Sequence, residues 1–262
     1  MLIDTHAHIN DSRLLPLAEE ISLSLNENNL SAVINVGYDR ATSEVALNLA
    51  NEYGNFYATV GIHPHDSKDL TESDIDFFIS VAKNPKVVAI GETGLDYFYN
   101  HSPKEAQKDS FIKHIALANL VKLPLVVHIR DAYEDAFNIL NEHKNLLNHG
   151  TVLHCYSGSA EMAKRFLTLN DSVYFSFGGA ITFKNADKES VVKSIPLPRI
   201  LLETDCPYMS PQPHRGRTNY PKYINFVCEK MNSWFENADL GQITTENAKR
   251  LFIKLRNAVG IS

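Results

Sequence analysis

Residues 124–131 read PLVVHIRD, a short β-branched run that ends in a histidine, an arginine and an aspartate. A run this brief, opened by proline and too short for a helix, predicts a strand buried on both faces, as in a parallel sheet. Seven further runs share the pattern: LIDTH (2–6), SAVINVGY (31–38), FYATVGIHP (56–64), VVAIGETGLD (87–96), TVLHCYSG (151–158), SVYFSFGGA (172–180) and RILLETDCP (199–207). Between them lie amphipathic stretches of helical length, such as TSEVALNLANEY and PKEAQKDSFIKHIALANLVK, many opened by Ser, Thr, Asp or Pro. Eight strand-plus-helix units in about 250 residues predict an α/β fold, the (β/α)8 TIM barrel. An open doubly wound sheet is the alternative, but the chain has no glycine-rich dinucleotide turn. No linker, low-complexity tract or charge block divides it, so 1–262 is expected to form a single domain. The tail TTENAKRLFIKL predicts one more helix closing the barrel.

The composition is that of a globular protein, 44% hydrophobic and 21% charged, with no apolar run of membrane-spanning length. The start, MLIDTHAHIN, lacks the basic region and long apolar core of a signal peptide. Three cysteines, Cys155, Cys206 and Cys228, form no CxxC pair and leave one over, which suits a reducing, cytoplasmic compartment better than a disulfide framework. Cys155 and Cys206 each neighbour a candidate ligand, but strand alternation points both away from it, into the helix layer. A net charge of −6 offers no global attraction to nucleic acid or anionic membrane, so a polyanionic substrate needs a local basic patch or metal ions.

The polar residues gather at the C-terminal ends of the strands, where a barrel builds its active site. His6 and His8 follow strand one, sharing a face with only Ala7 between them. His63 and His65 follow strand three, Glu92 ends strand four, His128 ends strand five, His154 strand six and Asp205 strand eight. Singly, each is more simply a satisfied surface or core residue. Together they would need separate partners for several imidazoles and carboxylates at one barrel mouth. A shared cation resolves that, and the donor set suits Zn²⁺, Mn²⁺, Co²⁺ or Fe²⁺, with Mg²⁺ admissible at the carboxylate-rich side. Six donors exceed what one hydrolytic ion needs if it keeps a position open for water. Two divalent ions per chain sharing a carboxylate is the economical solution, and Glu92 lies between the two groups of histidines.

DTHAH (4–8), GIHPH (61–65), IGETGLDY (90–97), PLVVHIRDA (124–132), VLHCYSGS (152–159) and LLETDCPY (201–208), followed by PHRGRTN (213–219), resemble the TatD family of metal-dependent deoxyribonucleases. The ordered set spans residues 2 to about 252, and its specificity lies in the order and spacing rather than in any one motif. The resemblance implies an amidohydrolase-type barrel that hydrolyses the phosphodiesters of DNA, cutting from an end, on single strands or DNA ends. It also implies that His6, His8, Glu92 and Asp205 hold one metal, and Glu92, His128 and His154 the other. No membrane or obligate protein partner is implied. One departure stands out: where many relatives read RGKRNEP, residues 215–221 here read RGRTNYP, with Tyr220 in place of the glutamate.

Such a site would attack phosphorus with water activated by the two ions. Glu92 and Asp205 are the catalytic candidates, Asp205 to orient the water and take its proton. His63 and His65 can bind phosphate or support the ligands. Arg130 shares a face with His128 and can either meet a phosphate or pair with Glu203. The loop 210–222 (SPQPHRGRTNYPK) holds three basic residues and no acid, so Arg215 is a substrate-binding candidate. Tyr97, Phe98 and Tyr99 follow Glu92 and can pack or stack on an unpaired base. Two rivals compete with a nuclease. An ester or amide hydrolase on the same barrel, such as an aminoacyl-tRNA deacylase or a small cyclic amide hydrolase, would keep the ligands and change the substrate. A structural metal site fits poorly, because such sites are closed, four-ligand and drawn from short spacings.

Overall fold

The computed structural model describes residues 1–256, so residues 257–262 of the expected domain lie outside the described residues. Eight parallel strands form one sheet in sequence order: β1 (Leu2–Ala7), β2 (Leu30–Val36), β3 (Phe56–Val60), β4 (Val87–Asp96), β5 (Leu125–Arg130), β6 (Thr151–Leu153), β7 (Val173–Phe177) and β8 (Ile200–Leu202). The extension of β8 closes the barrel onto β1 through an Ala7–Cys206 bridge, in which His8 N–H donates to Cys206 O (2.7 Å) and Asp205 N–H to His6 O (2.8 Å). Helices alternate with the strands, as in a TIM barrel.

Alternation along the strands separates two apolar layers. Ala32, Ile34, Val88, Val126, Val152, Tyr174 and Leu201 fill the barrel interior, while neighbours such as Val33, Val87, Val127, Leu153, Val173 and Leu202 pack outward against the helices. The tail forms α1 (Leu240–Leu251) and a final turn (Ile253–Arg256). Phe252 and Leu255, both buried, enter the interior cluster and plug the end opposite the polar mouth. Lys254 anchors this plug by donating to the carbonyls of Ala82, Asn84 and Val87 at 2.7–2.9 Å.

Two strands depart from the sequence reading. Glu92 does not end β4, which continues to Asp96. Between Ile90 and Thr93 two residues of β4, Gly91 and Glu92, oppose one of β5, Val126, a bulge that re-aims the side chain within it. Gly91 occupies this bulge at φ +129°, where any Cβ would strike the carbonyl of Val126. Likewise β6 stops at Leu153, because Cys155 turns out of the ladder with φ +45°. The alternation that placed Cys155 in the core therefore ends before it: Cys155 is half-buried at the mouth, whereas Cys206 and Cys228 are buried.

Candidate metal centre

The bulge in β4 and the β1–β8 closure bring all six candidate ligands to one point. The two oxygens of Glu92 face opposite groups. Oε2 lies 3.3 Å from His6 Nε2 and 3.8 Å from His8 Nε2. Oε1 lies 2.9 Å from His154 Nε2, 3.0 Å from His128 Nδ1 and 3.7 Å from His63 Nε2. Asp205 Oδ1 completes the first group, 3.4 Å from His8 Nε2 and 3.9 Å from His6 Nε2. Asp205 retains 15% exposure against 5% for Glu92, so it is the carboxylate that faces the opening.

The donor chemistry of these atoms fits divalent cations. His8 Nδ1 meets the carbonyl of Val36 at 3.1 Å, and a carbonyl only accepts, so Nδ1 carries the proton and Nε2 presents its lone pair. That Nε2 stands 3.2 Å from His6 Nε2, and His128 Nδ1 stands 3.3 Å from His154 Nε2. Nitrogen pairs this close, set between carboxylates, call for a proton or a cation in common. Donor atoms of His6, His8 and Glu92 lie within 4.8 Å of one another, as do those of His63, Glu92 and His128, and those of His6, His154 and Asp205.

The electrostatics agree. Burial alone would raise Glu92, but His154, His6 and His63 outweigh it and hold the carboxyl well below its ordinary value. Asp205 is lowered in the same way, burial being overcome chiefly by His8. Burial would lower His154, yet Glu92 and Glu203 raise it well above the usual imidazole range. His63 goes the other way: burial and the neighbouring imidazoles keep it neutral despite Glu92.

Partners beyond the ligands fix the rings. Glu203, fully buried, sets Oε1 3.3 Å from His154 Nδ1 and accepts the Cys155 N–H at 2.7 Å. Asp96 Oδ2 lies 3.1 Å from both His128 Nε2 and His65 Nε2. Asp4, a buried residue of β1, accepts from Thr204 N–H (2.9 Å) and pairs with Thr204 Oγ1 (2.5 Å), tying β1 to the extension of β8 that carries Asp205. Carboxylates behind imidazoles, as Glu203 is to His154 and Asp96 to His128, orient the rings and strengthen them as candidate ligands. Sequence reasoning missed Asp96 and Asp4; the signal was their even spacing from Glu92 and His6. Glu203 was noticed for the wrong partner. It is spent on His154, and Arg130 instead lies over the rings of Phe98 (4.0 Å) and Tyr99 (4.7 Å).

Of the other substrate candidates, His63 joins the ligand cluster, while the Nε2 of His65 is taken up by Asp96. Arg215 is exposed on the loop after β8, its guanidinium over Phe183 at 4.4 Å. Tyr208 borders His8, with ring centroids 6.0 Å apart.

A (β/α)8 barrel whose mouth gathers buried imidazoles around a two-faced carboxylate defines a metal-dependent hydrolase. The family described as TatD related DNase matches residues 3–253, and the chain belongs to the TatD family. It is 44% identical over 255 residues to an uncharacterized metal-dependent hydrolase, YabD, of Bacillus subtilis (strain 168), covering 96% of this chain and 99% of that one. It is 40% identical over 207 residues to the uncharacterized metal-dependent hydrolase YcfH of Escherichia coli (strain K12), covering 78% and 76% of the two chains. Among solved structures, the TatD homologue YJJV from Escherichia coli K12 superposes with a TM-score of 0.90 at 27% identity, over 96% of this chain and 98% of that one.

Proposed function

We propose that this hydrolase cleaves the phosphodiester bonds of DNA, with two divalent ions held on either side of Glu92. The observation that carries the reading is the division of Glu92: Oε2 toward His6 and His8, Oε1 toward His128 and His154. His6, His8, Glu92 and Asp205 would hold one ion, and Glu92, His128 and His154 the other. Zn²⁺, Mn²⁺ or Mg²⁺ bound there would activate water at neutral pH and neutralise charge growing on the phosphate. Asp205, the ligand open to the mouth, orients the attacking water and takes its proton. His63, held neutral, borders the same space and offers a hydrogen bond to a phosphate oxygen, while His65, its Nε2 engaged by Asp96, supports the site. Arg130, resting on Phe98 and Tyr99 rather than on a carboxylate among the described residues, and the basic loop carrying Arg215 and Arg217 attract a polyanion locally on a chain of net charge −6.

An open mouth with donors on one side suits an unpaired strand or a DNA end, hence exonucleolytic cutting. Three free thiols suit the reducing cytoplasm. No helix among the described residues is long and apolar enough to cross a membrane. The test is metal analysis by mass spectrometry together with phosphodiesterase assays before and after chelation. The expected result is two ions per chain, loss of activity on stripping with the fold retained, and recovery on re-addition. Unfolding on chelation would point instead to structural metal.

A further inference from the structure

Beside the ligand cluster, the mouth carries one group of side chains whose binding capacity is unspent. Phe98 and Tyr99, directly after β4, are 56% and 51% exposed. Their rings stand perpendicular with centroids 4.9 Å apart, and both rest against the guanidinium of Arg130. That contact holds the cation over ring faces, yet it uses none of its five N–H donors. His101 stacks on Tyr99, with centroids 5.6 Å apart and planes 7° apart, extending the aromatic surface.

The group is tied rigidly to the metal centre. Asp96 Oδ1 accepts the backbone N–H of Phe98 (3.0 Å) and of Tyr99 (2.9 Å), while its Oδ2 meets His128 Nε2 (3.1 Å). Arg130 follows His128 by two residues on β5. One carboxylate thus suspends both the platform and a candidate ligand, and the guanidinium rests on the platform. Exposed rings offer flat apolar faces, and the guanidinium, without an ion-pair partner among the described residues, offers a bidentate phosphate donor. A ligand that uses both is a nucleotide with its base unpaired.

We propose that Phe98, Tyr99 and Arg130 form a nucleotide subsite that seats one unpaired base and its phosphate beside the bond being cut. The proposal rests on the phosphodiesterase reading above and adds to it the part of the strand that is gripped. Bases inside a duplex are stacked on their neighbours and present no free face, so the subsite selects single strands and frayed ends.

The test compares KM and kcat of the metal-loaded enzyme on a short oligothymidylate and on methyl p-nitrophenyl phosphate, a phosphodiester without a base. The Phe98→Ala/Tyr99→Ala variant is expected to raise KM for the oligonucleotide about ten- to a hundredfold, well beyond any change on the base-free ester. Phe98→Trp, which keeps a ring, restores KM. Arg130→Gln reduces the slope of log affinity against log salt by about 0.7, the loss of one phosphate contact on a single strand. An alanine variant with wild-type KM, or with equal losses on both substrates, overturns the subsite while leaving the nuclease standing. A wild-type enzyme that cuts the ester but neither binds nor cuts the oligonucleotide overturns the nuclease reading itself.

Discussion

Glu203→Gln separates the orientation of a ligand from the ligand itself. Glu203 is fully buried, keeps Oε1 3.3 Å from His154 Nδ1 and accepts the Cys155 N–H at 2.7 Å. Glutamine matches its volume and its amide oxygen still accepts from Cys155, so the barrel should fold. What disappears is the charge that holds a proton on Nδ1 and so frees the Nε2 lone pair for a cation shared with Glu92. Turned the other way, the amide would donate to Nδ1 and move the ring proton to Nε2, blocking the donor. Removing such a partner typically weakens metal binding about 10- to 100-fold, or about 1.4–2.7 kcal/mol. The assay is competition for Mn²⁺ or Zn²⁺ against a chromophoric chelator, with thermal unfolding of the metal-free proteins alongside. The expected result is one of the two ions held more weakly while the metal-free melting temperature hardly moves. Wild-type affinity for both ions in a folded variant would refute the reasoning.

Asp4 is pushed up to about 8, chiefly by burial against the opposing Thr204 bonds. The folded chain then keeps a proton that the unfolded chain releases near pH 4, so Asp4 costs stability as pH rises from about 4 to 8, by up to about 1.4 kcal/mol per unit. Asp4→Asn removes that dependence; urea unfolding of metal-free protein across this range should show the variant gaining on the wild type as pH rises, and a constant offset contradicts it. His154 is raised well above the ordinary imidazole value and His8 and His128 are raised too, burial being outweighed mainly by the carboxylates around them, so the metal-free site holds its protons more tightly than free imidazole does. Metal binding should release them, giving calorimetric heats that scale with buffer ionisation enthalpy; identical heats in every buffer would argue against this. Phe252→Ala empties the plug of the closed barrel end and should cost about 3–5 kcal/mol in urea unfolding, with metal affinity unchanged. A loss below about 1 kcal/mol would mean that the end collapses to fill the gap.

The strands were legible because each is an apolar run cut off by polar residues, and five of the six candidate ligands because they sit near those cut-offs. What escaped was set by contacts distant in sequence. Asp4 meets Thr204 two hundred positions away, and nothing local marks Asp4 as a partner rather than a ligand. Arg130 lies over two aromatic faces rather than in the ion pair that its strand face suggested, and Glu203 faces His154 and the Cys155 N–H instead. Cys155 and Asp205 take positive φ, 45° and 56°, so β6 and β8 end early and period-two reasoning fails beyond Leu153 and Leu202. The bulge at Gly91 let Glu92 turn into the site from mid-strand, where the sequence pattern placed a strand end.

Metal-dependent cleavage of DNA that requires Glu92 is the central claim. The direct measurement is hydrolysis of end-labelled single-stranded DNA by metal-stripped protein, re-supplied separately with Mg²⁺, Mn²⁺ and Zn²⁺, beside Glu92→Ala. A ladder shortening from one end, present with at least one ion and absent in the variant, is the result expected. DNA left intact with every ion, or cut equally by Glu92→Ala, would contradict it and reopen the substrate to other esters or amides.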